Sequence, residues 1–144
     1  MKLLGQTMAR GVLATAAMSL FMLATRRLHL LGEPPPRKLS KRFLQSLGVG
    51  PKPAATSMLT TLSHTGFGAA AALPLPALLR RCRTKPGRMA AGALYGAAVW
   101  AVMYQGVLPA LNLMPRPARD RPGRPTSMLL AHLIYGATLA ALVD

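Results

Sequence analysis

The sequence predicts an all-α integral membrane protein: a four-helix bundle made of two helical hairpins, with a short amphipathic interfacial helix in the first loop. Three observations carry that prediction. The chain is 51% hydrophobic yet bears 18 Lys and Arg against 3 Asp and Glu, a formal charge of +15. The charges are segregated: none lies between Lys52 and Arg80, between Arg88 and Arg116, or between Arg124 and Asp144. Those stretches hold 27, 27 and 19 residues, and a helix needs about 20 apolar residues to cross a bilayer core of roughly 30 Å. Finally, a histidine followed by an aromatic at i+3 and a glycine at i+4 occurs twice inside the apolar runs, as His64, Phe67, Gly68 and as His132, Tyr135, Gly136. Basic loops beside apolar spans suit anionic lipid headgroups. The lipid bilayer is therefore the expected partner and nucleic acid is not.

One membrane domain over residues 1–144 is expected, with spans at about 5–28, 54–79, 89–113 and 127–143. In the first span, Gly11 to Thr25 is uncharged, and the flanking Arg10, Arg26 and Arg27 can extend it by snorkelling. Ala14-Thr15-Ala16 falls too early for signal-peptide cleavage, so the segment is expected to remain. Loop one opens with Gly32-Glu33-Pro34-Pro35-Pro36, whose prolines predict an extended path. From Arg37 to Leu47, Leu39, Phe43 and Leu47 recur every four residues among Arg37, Lys38, Lys41 and Arg42. That pattern predicts a basic helix lying among lipid headgroups, and Gly48-Val49-Gly50-Pro51 ends it.

The second span carries a polar and small stripe of Ser57, Thr60, Thr61, His64 and Gly68, and Pro74 and Pro76 should bend its last third. The basic loop Arg80 to Arg88 is short, so spans two and three should form an antiparallel hairpin. Its Cys82 is the single cysteine and rules out an internal disulfide. Gly92 and Gly96 give the third span a GxxxG pair, a helix-packing signal shared by Gly68 and Gly136. Such small-residue faces also admit a homo- or hetero-oligomer. Loop three, with four prolines between Met114 and Thr126, is too proline-rich for a helix. The last span begins near Ser127.

The chain also aligns with itself. Shifting span one by 81 positions lays Gly11-Val12-Leu13 on Gly92-Ala93-Leu94 and Ala16-Ala17 on Ala97-Ala98. Shifting span two by 68 lays His64, Phe67 and Gly68 on His132, Tyr135 and Gly136. Two parallel hairpins related by an internal repeat are expected, as in repeat-built transporters.

Taken together, the Ser63–Phe67 element, the Gly92 and Gly96 span running to Pro109, Asn112-Leu113 and Pro115, and the final Ala131-His132-Leu133-Ile134-Tyr135 resemble the YagU-like small bacterial inner-membrane proteins. The similarity covers about residues 55–144, and the dense arginines depart from it. The resemblance implies a multi-pass helical bundle in the bacterial inner (plasma) membrane. It implies no reaction.

The chemistry agrees in expecting no enzyme, no catalytic residues, no metal and no cofactor. The carboxylates Glu33 and Asp120 sit in different loops, which leaves no acid–base pair. No HxxxH or CxxC spacing occurs. The candidate site is an intramembrane polar cluster of His64, Gln105, His132, Tyr135 and Thr61, since intramembrane polar residues turn toward the bundle interior. His64, Gln105 and His132 fall within about 6 Å of one depth at 1.5 Å per residue. The expected role is a non-catalytic structural or accessory component whose cluster hydrogen-bonds between helices. The alternatives are a transporter-like module and a bis-histidine haem b electron-transfer protein.

Loops one and three carry 11 Lys and Arg, against 7 in the N-terminal region and loop two. The positive-inside rule then places loops one and three in the cytoplasm and both termini outside. Reporter fusions in loop two and at the C-terminus are expected to be active only with a reporter that needs export. Activity of a cytoplasmic reporter at both positions would reverse the orientation.

Overall fold

The computed structural model describes residues 2–29, 33–50 and 52–143. Gly32, Pro51 and Asp144, named above at loop and terminal positions, lie outside them. The described residues are all-α. Helices α1 (Lys2–Arg27), α2 (Pro35–Ser46), α3 (Pro53–Ala71), α4 (Leu75–Leu79) and α5 (Lys85–Trp100) come first. A π-helical stretch, Ala101–Val107, follows, and then α6 (Leu108–Ala110) and α7 (Arg124–Leu142). Four helical segments are long and apolar enough to cross a membrane: Lys2–Arg27, Pro53–Leu79, Lys85–Ala110 and Arg124–Leu142.

Proline sets most of the helix starts. The helices α2, α3, α4, α5 and α7 each have a proline in their first or second position. There its missing N–H is one the helix would leave unpaired anyway, and its fixed φ suits the first turn. This corrects the extended path expected of loop one, because Pro35 and Pro36 begin α2 instead of preceding it. Pro74 has the expected opposite effect within the second span. The chain turns at residues 72–74 and restarts as α4, with Ala72 and Leu73 bonding three residues back, to Ala69 and Ala70. Loop three also differs from expectation, since Pro117–Arg119 forms one 3₁₀ turn.

Around the bundle the order is α3, α1, α7, α5. α1 packs on both α3 and α7, and α5 packs most extensively on α7. α3 and α5 are joined through α4 and the basic loop, yet they hardly touch. They do not form the packed hairpin expected of a short connection. The buried face of α1 is the helical stripe Thr7, Gly11, Ala14, Thr15, Met18, Met22 and Thr25. Its threonines are satisfied within the helix, Thr7 donating to the Leu3 carbonyl at 3.0 Å and Thr15 to that of Gly11 at 2.7 Å. Outward-facing side chains are large and apolar, with Leu20 69% and Leu94 71% exposed. An apolar exterior of this extent suits lipid.

Backbone contact through glycine closes both packed hairpins. A methyl built on Gly96 would strike the His132 carbonyl oxygen, and one on Gly136 would strike the Gly92 carbonyl oxygen. In the other hairpin, a methyl on Gly11 would lie 2.7 Å from the Gly68 oxygen, and one on Gly68 would strike the Thr15 hydroxyl. In membranes, where lipid is as apolar as leucine, this close approach and its van der Waals contact hold helices together. The positions correspond under the sequence shifts given above: Gly11 with Gly92, Thr15 with Gly96, Gly68 with Gly136.

Helix α2 lies against α3, where Ser40 is buried and receives a 3.1 Å hydrogen bond from Thr60. Its apolar stripe points the other way, with Leu39 40%, Phe43 52% and Leu47 61% exposed.

Gly96→Ala is expected to destabilise the protein by about 1–3 kcal/mol, because the new methyl meets backbone that cannot rotate away. Gly66→Ala, with open space around it, should be neutral or stabilising by up to about 1 kcal/mol. Thermal unfolding of both variants in one detergent checks the contrast. Equal effects would remove the close approach as the cause.

Candidate functional site

The open side of the bundle, between α3 and α5, holds a cavity of ≈ 270 Å³. All four spans wall it. α1 supplies Thr15 and Met18, α3 supplies Ser63, His64, Phe67, Gly68 and Ala71, and α7 supplies Met128, His132 and Tyr135. The third span supplies Val99, Met103, Tyr104 and Leu108. Pro35, Pro36 and Leu39 of α2 roof it. Phe67 and Leu39 are substantially exposed while lining it, and so form its rim. The wall is overwhelmingly apolar, and its methionines can repack around different shapes.

Of the predicted cluster, the structure brings together His64, His132 and Tyr135. Thr61 and Gln105 are exposed and stand away from the cavity. Of the predicted stripe on α3, Thr60, His64 and Gly68 turn inward, while Ser57 and Thr61 face out and Thr56 is buried instead. Gln105 stands nine residues after Gly96, which on a helix of 3.6 residues per turn is the face opposite the α7 contact. Its neighbour Tyr104, in the π-helical stretch, is the residue that lines the cavity. Tyr104 is 1% exposed.

The polar groups of the wall are mostly engaged by the fold itself. Tyr135 donates to the Gly68 carbonyl at 2.6 Å. That oxygen is within reach because the Ala72 amide bonds Ala69 instead. Tyr95 likewise donates to the Ala71 carbonyl at 2.5 Å, beside the turn that Pro74 enforces. Thus α7 and α5 each cap a carbonyl at the loosened end of α3. The Thr15 hydroxyl bonds Gly11, and that of Ser63 bonds Thr60 at 3.2 Å. His132 Nδ1 lies 2.8 Å from the Met128 carbonyl oxygen, a pairing that places the proton on Nδ1. His64 differs: its Nε2 is buried and has no hydrogen-bond partner. Trp100 Nε1 is the other such nitrogen among the described residues, and its ring stacks on Tyr104 at 5.8 Å. Leaving such a group unpaired costs about 1–3 kcal/mol.

Beneath Tyr104 lies an ion pair that sequence reasoning did not find. Arg124 Nη1 is 2.7 Å from Asp120 Oδ1, their side chains 9% and 2% exposed, and the Tyr104 hydroxyl donates to Asp120 Oδ2. The Arg121 amide also donates to Asp120 at 2.7 Å. Gly123, at φ 83°, makes the turn that lets Asp120 and Arg124 meet across the start of α7. A signal was present, because Asp120 and Arg124 are four residues apart and loop acids are scarce among so many cations.

Of the residues assigned to lipid headgroups, Arg37 and Lys41 pair with Glu33, and Arg42 donates to the Asn112 carbonyl. Arg37 and Lys41 also line a second hollow of ≈ 340 Å³ between α2 and the start of α3. The hydrogen bond from Lys41, helped by the charges of Lys41, Arg37 and Lys38, holds the Glu33 carboxyl below its usual range. A lowered carboxyl stabilises the folded state above its unfolded pKa, and that contribution fades as pH falls through the lowered value. These pairs at the start of α2 are therefore intact at neutral pH and weaken only in acid.

The fold and its cavity define a class: an all-α protein with four helices suited to a membrane, arranged around an apolar cavity that carries two histidines. The chain belongs to the family of unknown function DUF6789, which it matches over residues 1–144. That match includes no link specific to the YagU-like proteins. No curated protein and no solved structure matches the chain.

Asp120→Asn should cost about 3–5 kcal/mol, because it removes the negative charge from a buried ion pair. Tyr135→Phe should cost about 0.6–1.7 kcal/mol, the range of hydrogen bonds between membrane helices. Glu33→Gln should stay within about 1 kcal/mol, as for an exposed pair. Unfolding midpoints in a common detergent check the order, and an Asp120→Asn effect no larger than that of Glu33→Gln would overturn it.

Proposed function

We propose that the protein is a non-catalytic accessory component of the bacterial inner membrane that receives a bilayer-soluble apolar molecule in its lateral cavity. The observation that carries this reading is the ≈ 270 Å³ apolar space walled by all four spans and left open where α3 and α5 fail to pack. Its size is near the lower end of small-molecule pockets, about 300–1,000 Å³. A cavity with so few polar partners does not hold water well, which leaves apolar matter as its natural occupant. The absence of catalysis is argued from the wall, where the hydroxyls of Thr15, Ser63, Tyr104 and Tyr135 are committed to the fold. The two hairpins are read as an internal repeat, supported by the corresponding glycine contacts. Two further readings, a transporter-like module and a haem b carrier, make distinct predictions: a polar path continuing beyond the histidines, and colour.

Trp100 is the single tryptophan, and it stacks on a ring of the cavity wall. Bromobenzene added to nanodisc-embedded protein should therefore quench its fluorescence saturably, and Val99→Phe, which fills the space, should remove the saturable component. The purified protein should be colourless. Linear quenching that is unchanged in Val99→Phe would overturn the cavity reading, and a stoichiometric Soret band lost in His64→Leu would replace it with the haem one.

A further inference from the structure

We infer that the cavity takes an apolar molecule bearing one hydrogen-bonding oxygen, and that His64 Nε2 is its partner. The inference rests on the cavity reading just given and adds the chemistry of the occupant. His64 stands on the wall, and its Nε2 is buried without a partner. The neighbouring hydroxyls are engaged by the fold, and His132 Nδ1 is held by Met128. An unpaired ring nitrogen is costly where no water reaches, and an occupant that supplies an oxygen relieves that cost. A plain hydrocarbon does not.

Depth narrows the class. His64 is 11 residues beyond Pro53, where its span begins, about 16 Å along a helix. That is close to the middle of a bilayer core of roughly 30 Å. The headgroup and ester oxygens of a diacyl lipid lie near the surface and do not reach it. A molecule whose polar atom travels with an apolar body does: a long-chain alcohol, or a ketone such as the ring carbonyl of a prenylated quinone. A hydroxyl can meet either tautomer of the imidazole, whereas a carbonyl needs Nε2 to carry the proton.

The test is displacement of bromobenzene from the full-length protein in nanodiscs by decane, 1-decanol and 2-decanone at matched membrane mole fractions. The expected result is that 1-decanol displaces at a mole fraction roughly three- to twentyfold lower than decane, the ratio one hydrogen bond in a membrane supports. 2-Decanone should match 1-decanol if Nε2 donates and match decane if it accepts, and either pattern supports the oxygen partner. His64→Leu should bring all three within twofold of one another, while His64→Gln, which still offers a polar group at that depth, should keep the order. Equal potency of the three in the unaltered protein would overturn the inference and leave the cavity reading standing. A preference for 1-decanol that persists in His64→Leu would also overturn it. Absence of saturable bromobenzene quenching would remove both.

Discussion

The close approach of α5 to α7 is the contact on which the rest of this architecture depends. Gly92 and Gly96 meet Gly136 and the His132 carbonyl with no side chain between the backbones. The same turn of α7 carries the histidine and tyrosine that face the cavity, so the interface also sets where those rings stand. With α7 locked to α5 on one side and packed on α1 on another, Tyr135 is positioned to reach across to α3 and cap Gly68. Gly68 is itself the residue whose missing side chain admits Thr15 of α1. Packing, capping and cavity shape thus follow from a few positions that must remain glycine.

Much of the fold was legible because a bilayer imposes simple rules. Four uncharged or nearly uncharged stretches, separated by basic and proline-rich loops, leave little choice but four helices. The small-residue pairs marked the tight faces for the same reason, since only they let backbones touch. The amphipathic pattern of Arg37–Leu47 located α2 to within two residues at its start and one at its end.

What was not legible was angular. Gln105 was read into the cluster from its polarity and depth alone, and its angle was left out: nine residues from Gly96, it falls on the opposite face of the helix. The outward turn of Ser57 and Thr61 on α3 has a related origin. Threonine and serine satisfy their hydroxyls on their own helix, as Thr65 does on Thr61 at 2.7 Å, so polarity alone did not say which way they face. The Asp120–Arg124 pair was missed because its members sit in a proline-rich loop where local spacing carries no helical meaning until Gly123 sets the turn.

The arrangement of the open side has a mechanical consequence. Helices α3 and α5 follow one another along the chain through α4 but are not neighbours in packing, and the peptide links them at one end only. Tyr95 stitches that same end through Ala71. The pair therefore behaves as a jaw, pinned at its hinge by covalent bonds and a tyrosine, with its mouth at the opposite membrane face. Along its other three sides the bundle is held by packed helices, two of those seams drawn tight by glycine. At the mouth only α2 stands across the gap, held by Ser40 to Thr60 of α3 and by Arg42 to the Asn112 carbonyl beyond α6. Widening the mouth stretches no chain and parts no glycine contact, so this is the direction in which the bundle is softest.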